Sequence, residues 1–149
     1  MESTDPIQLD LPLIYSAKVL VVDDDAETRD LLRVFFSGNH YDVLTARDGK
    51  EALEVLASDS DIDIVILDVF LPVIGGMEVL REIQSRPSSP GVIVLTALAD
   101  KEVARDAQRL GAFEYILKPV ELARLQAAVE VCLDHREYLK QSWWQRLAS

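Results

Sequence analysis

The sequence predicts an α/β domain in which a five-stranded parallel sheet is covered by helices on both faces. Short runs of β-branched and aliphatic residues alternate along the chain with longer stretches whose apolar residues recur at helical spacing. The runs lack a polar alternation, which is typical of strands buried on both faces. Because parallel neighbours need a long crossover, the helices between the strands favour a parallel sheet.

Strands and helices are predicted in strict alternation. The strands are residues 19–22, 42–46, 62–67, 92–95 and 113–117. The first helix stops at Gly38, the second and third carry the apolar residues of 52–56 and 77–83, and the fourth covers about 100–110. The fifth helix is expected to begin near Pro119, because proline suits the first turn of a helix.

The length of 149 residues favours a single domain with two short flanks. Residues 1–17 mix acids, prolines and a few apolar side chains, and we interpret them as an N-terminal arm. Residues 18–133 are expected to form the domain. Residues 134–149 are expected to continue its last helix as a linker or dimerisation helix.

The last helix is predicted to project beyond the domain, because no glycine or proline follows Val120. Such a helix would run roughly 40 Å, which exceeds the width of a small domain. Packing of the tail on its own domain is the alternative, and Arg136 and Arg146 on the apolar stripe weaken a coiled coil. Trp143 and Trp144 point about 100° apart on a helix, so one of them either anchors a partner or packs on the protein's own surface.

Composition excludes several classes of protein. The chain has 15 basic and 26 acidic residues, a net charge of −11, which argues against direct nucleic-acid binding. Its one cysteine, Cys132, cannot form an internal disulfide. No apolar run approaches the ~20 residues that span a bilayer, and the acidic N-terminus does not resemble a secretory signal. We expect a cytoplasmic protein without membrane contact.

Polar residues follow four of the predicted strands. The first strand runs into Asp23 and Asp24, the third into Asp68, the fourth into Thr96 and the fifth into Lys118. Each has a structural explanation when taken alone, because an acid after a strand often caps the next helix, and we expect Asp25 to cap the first helix. Ligands of open parallel sheets bind at the carboxyl ends of the strands.

Taken together, these residues predict a site for phosphoryl transfer. If strands one and three are neighbours, Asp23, Asp24 and Asp68 converge, and like charges at ~4 Å repel by several kcal/mol at an effective dielectric near 20. A divalent cation would relieve that repulsion, and oxygen ligands with room for a phosphate favour Mg²⁺. The ammonium of Lys118 and the hydroxyl of Thr96 suit a phosphoryl group. This set of groups favours transfer of a phosphoryl group to an aspartate.

Competing sites have weaker support. No glycine-rich loop follows the first strand, so Walker-type and dinucleotide-binding turns are not predicted. A flavin site would also want a phosphate loop where this chain has acids. His40 and His135 have no partner at metal-ligand or catalytic spacing, and we interpret both as surface residues.

Four segments resemble the receiver domain of two-component response regulators, the CheY-like superfamily, from about Lys18 to about Leu133. The matching segments are 21–24 (VVDD), 66–72 (ILDVFLP) with Gly76 after them, 94–97 (VLTA) and 111–119 (GAFEYILKP). The occurrence of all four segments in this order is highly specific for this family. The resemblance implies a flavodoxin-like, doubly wound fold with strand order 2-1-3-4-5.

The resemblance also implies a role for each matching residue. Asp68 would accept a phosphoryl group from a sensor histidine kinase or a histidine phosphotransfer protein. Asp24 and Asp68 would bind Mg²⁺ directly, Asp23 would act largely through water, and the main-chain carbonyl of Phe70 would complete the protein ligands. Such a domain is a signalling switch and not an enzyme acting on other molecules.

The remaining matching residues would transmit the signal. Lys118 would pair with the phosphoryl oxygens, and its bond to Pro119 would be cis, as proline permits. Thr96 would move toward the phosphoryl group while Tyr115 moves inward. These shifts would change the face made by helix four, strand five and helix five. That face and the C-terminal helix would serve a homodimer, a partner or an output domain absent from this chain.

Three departures from the family pattern affect the expectations. Gly75 replaces a usual acidic residue, which predicts a more flexible loop. Phe70 and Leu98 flank the phosphoryl group where polar residues are frequent. Because apolar side chains cannot orient an attacking water, we expect a long-lived phosphoaspartate.

Two other functions are alternatives. The chain could be a pseudo-receiver that binds partners without phosphorylation. A phosphatase acting on external esters would need a second carboxylate where Phe70 stands.

Overall fold

The computed structural model describes residues 16–148, which form a five-stranded parallel sheet. The strands are β1 (Lys18–Val22), β2 (Asp42–Ala46), β3 (Ile64–Leu67), β4 (Gly91–Thr96) and β5 (Glu114–Leu117). Their order is β2-β1-β3-β4-β5, and every neighbouring pair is parallel. The predicted fold and strand order are therefore confirmed.

Five helices connect and follow the strands within the described residues. They are α1 (Ala26–Gly38), α2 (Gly49–Ser58), α3 (Gly76–Gln84), α4 (Lys101–Arg109) and α5 (Leu122–Ala148). Aspartates at the N-caps of α1, α2 and α4 accept main-chain N–H groups of the first turn, as local sequence predicts for Asp25. Gly75 caps α3 without a side-chain bond.

The sheet separates two apolar cores because successive strand residues point to opposite faces. Val19 and Val21 pack with α1 and α5, whereas Leu20 and Val22 pack with α2, α3 and α4. All four are essentially inaccessible to solvent. The unbroken apolar run of β1 thus reflects burial on both faces.

The strand register aligns the residues that follow β1 and β3. Val22 pairs with Leu67, so Asp23 and Asp68 are the next residues on neighbouring strands. The main-chain N–H of Asp68 donates to the carbonyl of Val22 at 3.0 Å, which extends the ladder by one bond. The winding of the sheet reverses between these strands, which is where such sheets bind ligands.

Helix α5 begins later than expected and is held to the domain for about half its length. It starts at Leu122 and not near Pro119, because its first helical bond runs from the N–H of Leu125 to the carbonyl of Glu121. It then continues for 27 residues. Its buried residues facing the sheet are Leu125, Ala128, Val129 and Cys132.

Arg136 ends the docked part of α5. Its guanidinium contacts a carboxylate oxygen of Asp63 and the carbonyl of Ser89, each at 3.3 Å. One turn later, Leu139 is 49% exposed. The arginine that weakens a coiled-coil stripe therefore pairs with the domain.

Most of the predicted N-terminal arm lies outside the described residues, as do the side chains of Trp143 and Trp144. Ser16 and Ala17 already bond to the segment before β2, because the hydroxyl of Ser16 donates to the carbonyl of His40 and the N–H of Asp42 donates to the carbonyl of Ala17. Over residues 16–148, no helix combines the length and the apolar character needed to cross a membrane.

Candidate functional site

The three acids at the carboxyl ends of β1 and β3 converge. One carboxylate oxygen from each of Asp23, Asp24 and Asp68 lies within 4.8 Å of the others. Asp23 and Asp68 are buried, at 3% and 5% exposure, whereas Asp24 is exposed. The convergence that the strand ends predict is present.

Lys118 bridges the two buried acids. Its ammonium lies 2.6 Å from Oδ2 of Asp23 and 3.0 Å from Oδ2 of Asp68. The main-chain N–H of Lys118 donates to the carbonyl of Thr96 at 2.8 Å, which holds the end of β5 beside β4. The Lys118–Pro119 peptide bond is cis.

One ammonium faces three carboxylates, so the cluster keeps an excess of negative charge. Burial raises the pKa of Asp23, although its bonds from Lys118 and the N–H of Asp25 oppose that shift. Burial alone would lower the pKa of Lys118, but its bonds to Asp23 and Asp68 outweigh this effect and raise the pKa. The ammonium is therefore held in its charged form.

The Asp68 carboxylate is fixed by donors on both oxygens. The main-chain N–H of Phe70 donates to Oδ1 at 3.0 Å, and Lys118 donates to Oδ2. Gly76 packs so closely behind this segment that an added Cβ would collide with the Asp68 carbonyl oxygen and with Val69. The close approach explains the glycine at this position.

The donor set fits Mg²⁺. Carboxylate oxygens are hard ligands, and two of the three come from strand ends that the sheet holds in place. Within residues 16–148, the Asp24 carboxylate accepts no hydrogen bond from a protein donor. The main chain of Phe70 lies beside Asp68, as its bond to Oδ1 shows.

Thr96 and Tyr115 both contact the residue that follows β4 by two positions. The hydroxyl of Thr96 accepts the N–H of Leu98 at 3.3 Å, and the hydroxyl of Tyr115 donates to the carbonyl of Leu98 at 2.7 Å. Thr96 is fully buried, while Tyr115 is half-buried against the α2–α4 core. Burial raises the pKa of Tyr115, with the charges of Asp100 and Asp68 acting in the same direction.

Sequence reasoning missed Arg29. Its guanidinium donates to the main-chain carbonyl of Asp23 at 2.8 Å. No sequence rule pairs a helix residue with a carbonyl six positions earlier, so only the position of Arg29 one turn into α1 could have suggested this contact.

The acid cluster lies apart from a concave groove elsewhere on the described residues. A groove of about 480 Å³ lies at the opposite end of the sheet, between α5 and the segments that precede β4 and β5. The ring of His135, one of its lining residues, lies 5.8 Å from the ring of Phe113 between centroids and is tilted by 40° to it, and His40 is exposed. Neither histidine adjoins the acids.

Comparisons with known proteins agree on one family. The sequence model of the response regulator receiver domain matches residues 19–130. The response regulator MprA of Mycolicibacterium vanbaalenii is 40% identical over 119 residues, which cover 78% of this chain and 50% of that protein. The chain spans about half or less of the length of the curated relatives that it matches, for example 27% of the regulatory protein AtoC of Escherichia coli.

Solved structures give the same result. The crystal structure of a response regulator receiver domain protein from Clostridium thermocellum is 34% identical, with a TM-score of 0.78, and covers 83% of this chain and 98% of its own. A chain of the CheX–CheY–BeF3–Mg²⁺ complex from Borrelia burgdorferi is 31% identical, with a TM-score of 0.71, covering 76% and 86%. The chain therefore belongs to the receiver-domain family of two-component response regulators.

Proposed function

We propose that the protein is a Mg²⁺-dependent phosphoacceptor switch and that Asp68 carries the phosphoryl group. The observation that carries this proposal is the buried pair of acids bridged by Lys118, with Asp24 exposed beside them. A protein that used this cluster only for stability would have no reason to keep three carboxylates around one ammonium.

In the proposed transfer, an oxygen of Asp68 attacks the phosphorus of a phosphohistidine. The O–P bond forms as the P–N bond breaks, and the electron pair of the P–N bond stays on the imidazole. The N–H of Phe70 and the ammonium of Lys118 orient the attacking carboxylate before the transfer. Lys118 then stabilises the charge on the phosphoryl oxygens.

A cation is required because the acceptor and the phosphoryl group are both negative. Asp23, Asp24 and Asp68 would hold Mg²⁺ together with the main-chain carbonyl of Phe70. When bound, Mg²⁺ neutralises charge that develops on the phosphoryl oxygens. Support comes from the geometry of the acids and from the similar chain in a complex with BeF3 and Mg²⁺.

The switch would act through Leu98. Thr96 and Tyr115 are both bonded to its main chain, so a Thr96 hydroxyl that turned to a phosphoryl oxygen would release the N–H of Leu98. The segment between β4 and α4 would then rearrange and alter the α4, β5 and α5 face. Such a change is a shift between two populations, biased by contacts made only in the phosphorylated state.

The phosphoryl group should be long-lived. Phe70 is 56% exposed beside the acceptor, and Leu98 is half-buried beside Thr96. Neither side chain can form a hydrogen bond with an attacking water or take a proton from it. Purified phosphoprotein with Mg²⁺ and no kinase should therefore lose phosphate more slowly than Phe70→Asn, and equal rates would contradict this expectation.

The proposed partners follow from the switch. The phosphodonor would be a sensor histidine kinase or a histidine phosphotransfer protein of the cytoplasm. The α4, β5 and α5 face and the undocked end of α5 would serve a second copy, a partner or an output domain. Size determination with and without beryllofluoride would test the homodimer, and a monomer in both states would exclude it.

Acetyl phosphate or beryllofluoride with Mg²⁺ tests the proposal. The wild-type chain should gain a phosphoryl mass with acetyl phosphate and change its NMR spectrum with beryllofluoride, whereas Asp68→Asn should do neither. Asp63→Asn is a matched control, because it removes a carboxylate at the other end of the sheet. No response of the wild type, or an unchanged response of Asp68→Asn, would favour the pseudo-receiver.

A further inference from the structure

Arg29 reaches back from α1 to the loop that carries the first two acids. Its Nη1 donates to the main-chain carbonyl of Asp23 at 2.8 Å, and Arg29 is half-buried. We propose that this bond makes Arg29 a positioning residue for Mg²⁺, because it aims the Asp24 carboxylate at the cation. The inference rests on the proposed function and adds a residue to its metal site.

The bond acts on Asp24 through the peptide unit. The Asp23 carbonyl belongs to the planar group that also contains the nitrogen and Cα of Asp24. A donor that fixes the direction of this carbonyl therefore fixes the atom from which the Asp24 side chain extends.

The position of the Asp24 carboxylate depends on the main chain more than that of the Asp23 carboxylate does. The carboxylate of Asp23 is held by Lys118 and by the N–H of Asp25, at 2.6 and 2.9 Å. The exposed carboxylate of Asp24 has no protein donor within residues 16–148. Its placement is therefore set by the backbone that Arg29 holds.

Charge alone predicts the opposite effect of Arg29 on a cation. A guanidinium beside the acids would repel Mg²⁺, and the N-terminus of α1 carries the positive end of the helix dipole. Removing the charge of Arg29 should therefore tighten Mg²⁺ binding if electrostatics dominate. Removing the bond to Asp23 should weaken binding if positioning dominates, so the two explanations differ in sign.

The Mg²⁺ affinity of the full chain, measured by isothermal titration calorimetry with MgCl2, distinguishes the positioning effect of Arg29 from its electrostatic effect. Arg29→Ala should bind Mg²⁺ roughly tenfold more weakly, as is typical when a partner of a metal ligand is removed. Arg29→Lys keeps a charged donor and should recover most of the affinity. Arg33→Ala removes the same charge one turn later from an exposed pair with Asp30, and should bind as the wild type does or slightly more tightly.

The outcomes distinguish the inference from the function on which it rests. If the wild type binds no Mg²⁺, the proposed function fails and Arg29 has no such role. If the wild type binds Mg²⁺ and Arg29→Ala binds as tightly or more tightly, the positioning role is overturned while the site stands. An equal loss in Arg33→Ala, or no rescue by Arg29→Lys, also overturns it. If Arg29→Ala does not fold by circular dichroism, Arg29→Met, which keeps an unbranched side chain but has no N–H donor, takes its place with the same expectation.

Discussion

The two ends of the sheet both carry charged clusters, but they balance their charges differently. At the amino end, Lys18 pairs with Asp59 at 2.8 Å and Arg136 pairs with Asp63 at 3.3 Å. At the carboxyl end, the single ammonium of Lys118 faces three carboxylates. At the amino end, here called the matched end, Asp59 and Asp63 each have their own basic partner, with Asp42 and Asp61 nearby as further acids. At the carboxyl end, Asp23 and Asp68 share one ammonium and Asp24 lies beside them.

The pKa directions show the same difference. The bond from Lys18 lowers the pKa of Asp59, as expected for an acid whose charged form is paired. Burial raises the pKa of Asp23 although Lys118 lies 2.6 Å away, so desolvation outweighs pairing there. Burial therefore distinguishes the two acids, and a buried acid whose pKa is raised despite a cationic partner is a candidate for a functional site.

Removing Lys118 should have the largest effect. We expect Lys118→Ala to accept a phosphoryl group from acetyl phosphate about 100-fold more slowly, because one positioned charge on a transition state contributes about that much. Mass spectrometry over time measures the rate, and circular dichroism checks that the variant is folded. Lys101→Ala, which removes an exposed ammonium of α4, should react as the wild type does; an equal slowing would show that the effect is not local.

Breaking the matched end should change stability instead. Asp63 accepts the main-chain N–H of Lys18 at 2.9 Å as well as the guanidinium of Arg136. We expect Asp63→Asn to lower the free energy of unfolding by about 2 kcal/mol, since bonds to a charged, half-buried group are lost. Urea denaturation measures this, with Asp61→Asn as the exposed control. A loss of phosphorylation in Asp63→Asn would contradict the separation of the two ends.

Removing the carboxylate of Asp24 should change the free energy of unfolding less than Asp63→Asn does, and in the opposite direction. We expect Asp24→Asn to keep the unfolding free energy of the metal-free chain or raise it by up to about 1 kcal/mol, because repulsion between carboxylates is relieved. The stabilisation that excess MgCl2 gives the wild type should disappear. Thermal unfolding with and without MgCl2 measures the stability of the metal-free variant and its stabilisation by the cation. If metal-free Asp24→Asn is less stable than the wild type, the three carboxylates do not repel one another as proposed.

The smallest effect concerns Cys132, which lies on the buried, sheet-facing side of α5 near the matched end. Burial raises the pKa of this thiol to about 11. Since the raised pKa keeps the thiol neutral, about one thiol in a thousand is ionised near pH 8, and alkylation by iodoacetamide should be slow there and rise with pH. Asp63→Asn should speed alkylation if it loosens α5, whereas rapid alkylation of the wild type would show that the thiol is accessible.

Most of the fold follows from short-range patterns in the sequence. The apolar runs of β1 and β3 predict buried strands, and the acid at position 25 predicts the start of α1, because each depends on neighbours in the chain. The helix expected near Pro119 begins at Leu122, because proline favours a first helical turn but does not fix the residue at which the helix starts.

The sequence predicts that the acids and Lys118 converge, but it does not predict the main-chain bonds that hold them. Strand ends placed the acids, Thr96 and Lys118 together, whereas the bonds from Phe70, Leu98 and Arg29 involve main-chain atoms that carry no sequence signal. The partner of Arg136 is unpredictable for a related reason. Its partner Asp63 lies 73 residues away in the chain. Helical periodicity shows only that Arg136 is a charged residue on an apolar stripe, because it carries no information on distant partners.

Because α5 is docked on the domain as far as Arg136, the rest of the helix is a stiff rod that is held at one end. The twelve residues from Glu137 to Ala148 extend about 18 Å past Arg136 at 1.5 Å per residue. A tilt of the docked part by about 10° would move the far end by about 3 Å over this length. A small tilt of the docked part therefore moves the far end of α5 by about the length of a side-chain contact, and the Asp63–Arg136 ion pair lies at the point about which it turns.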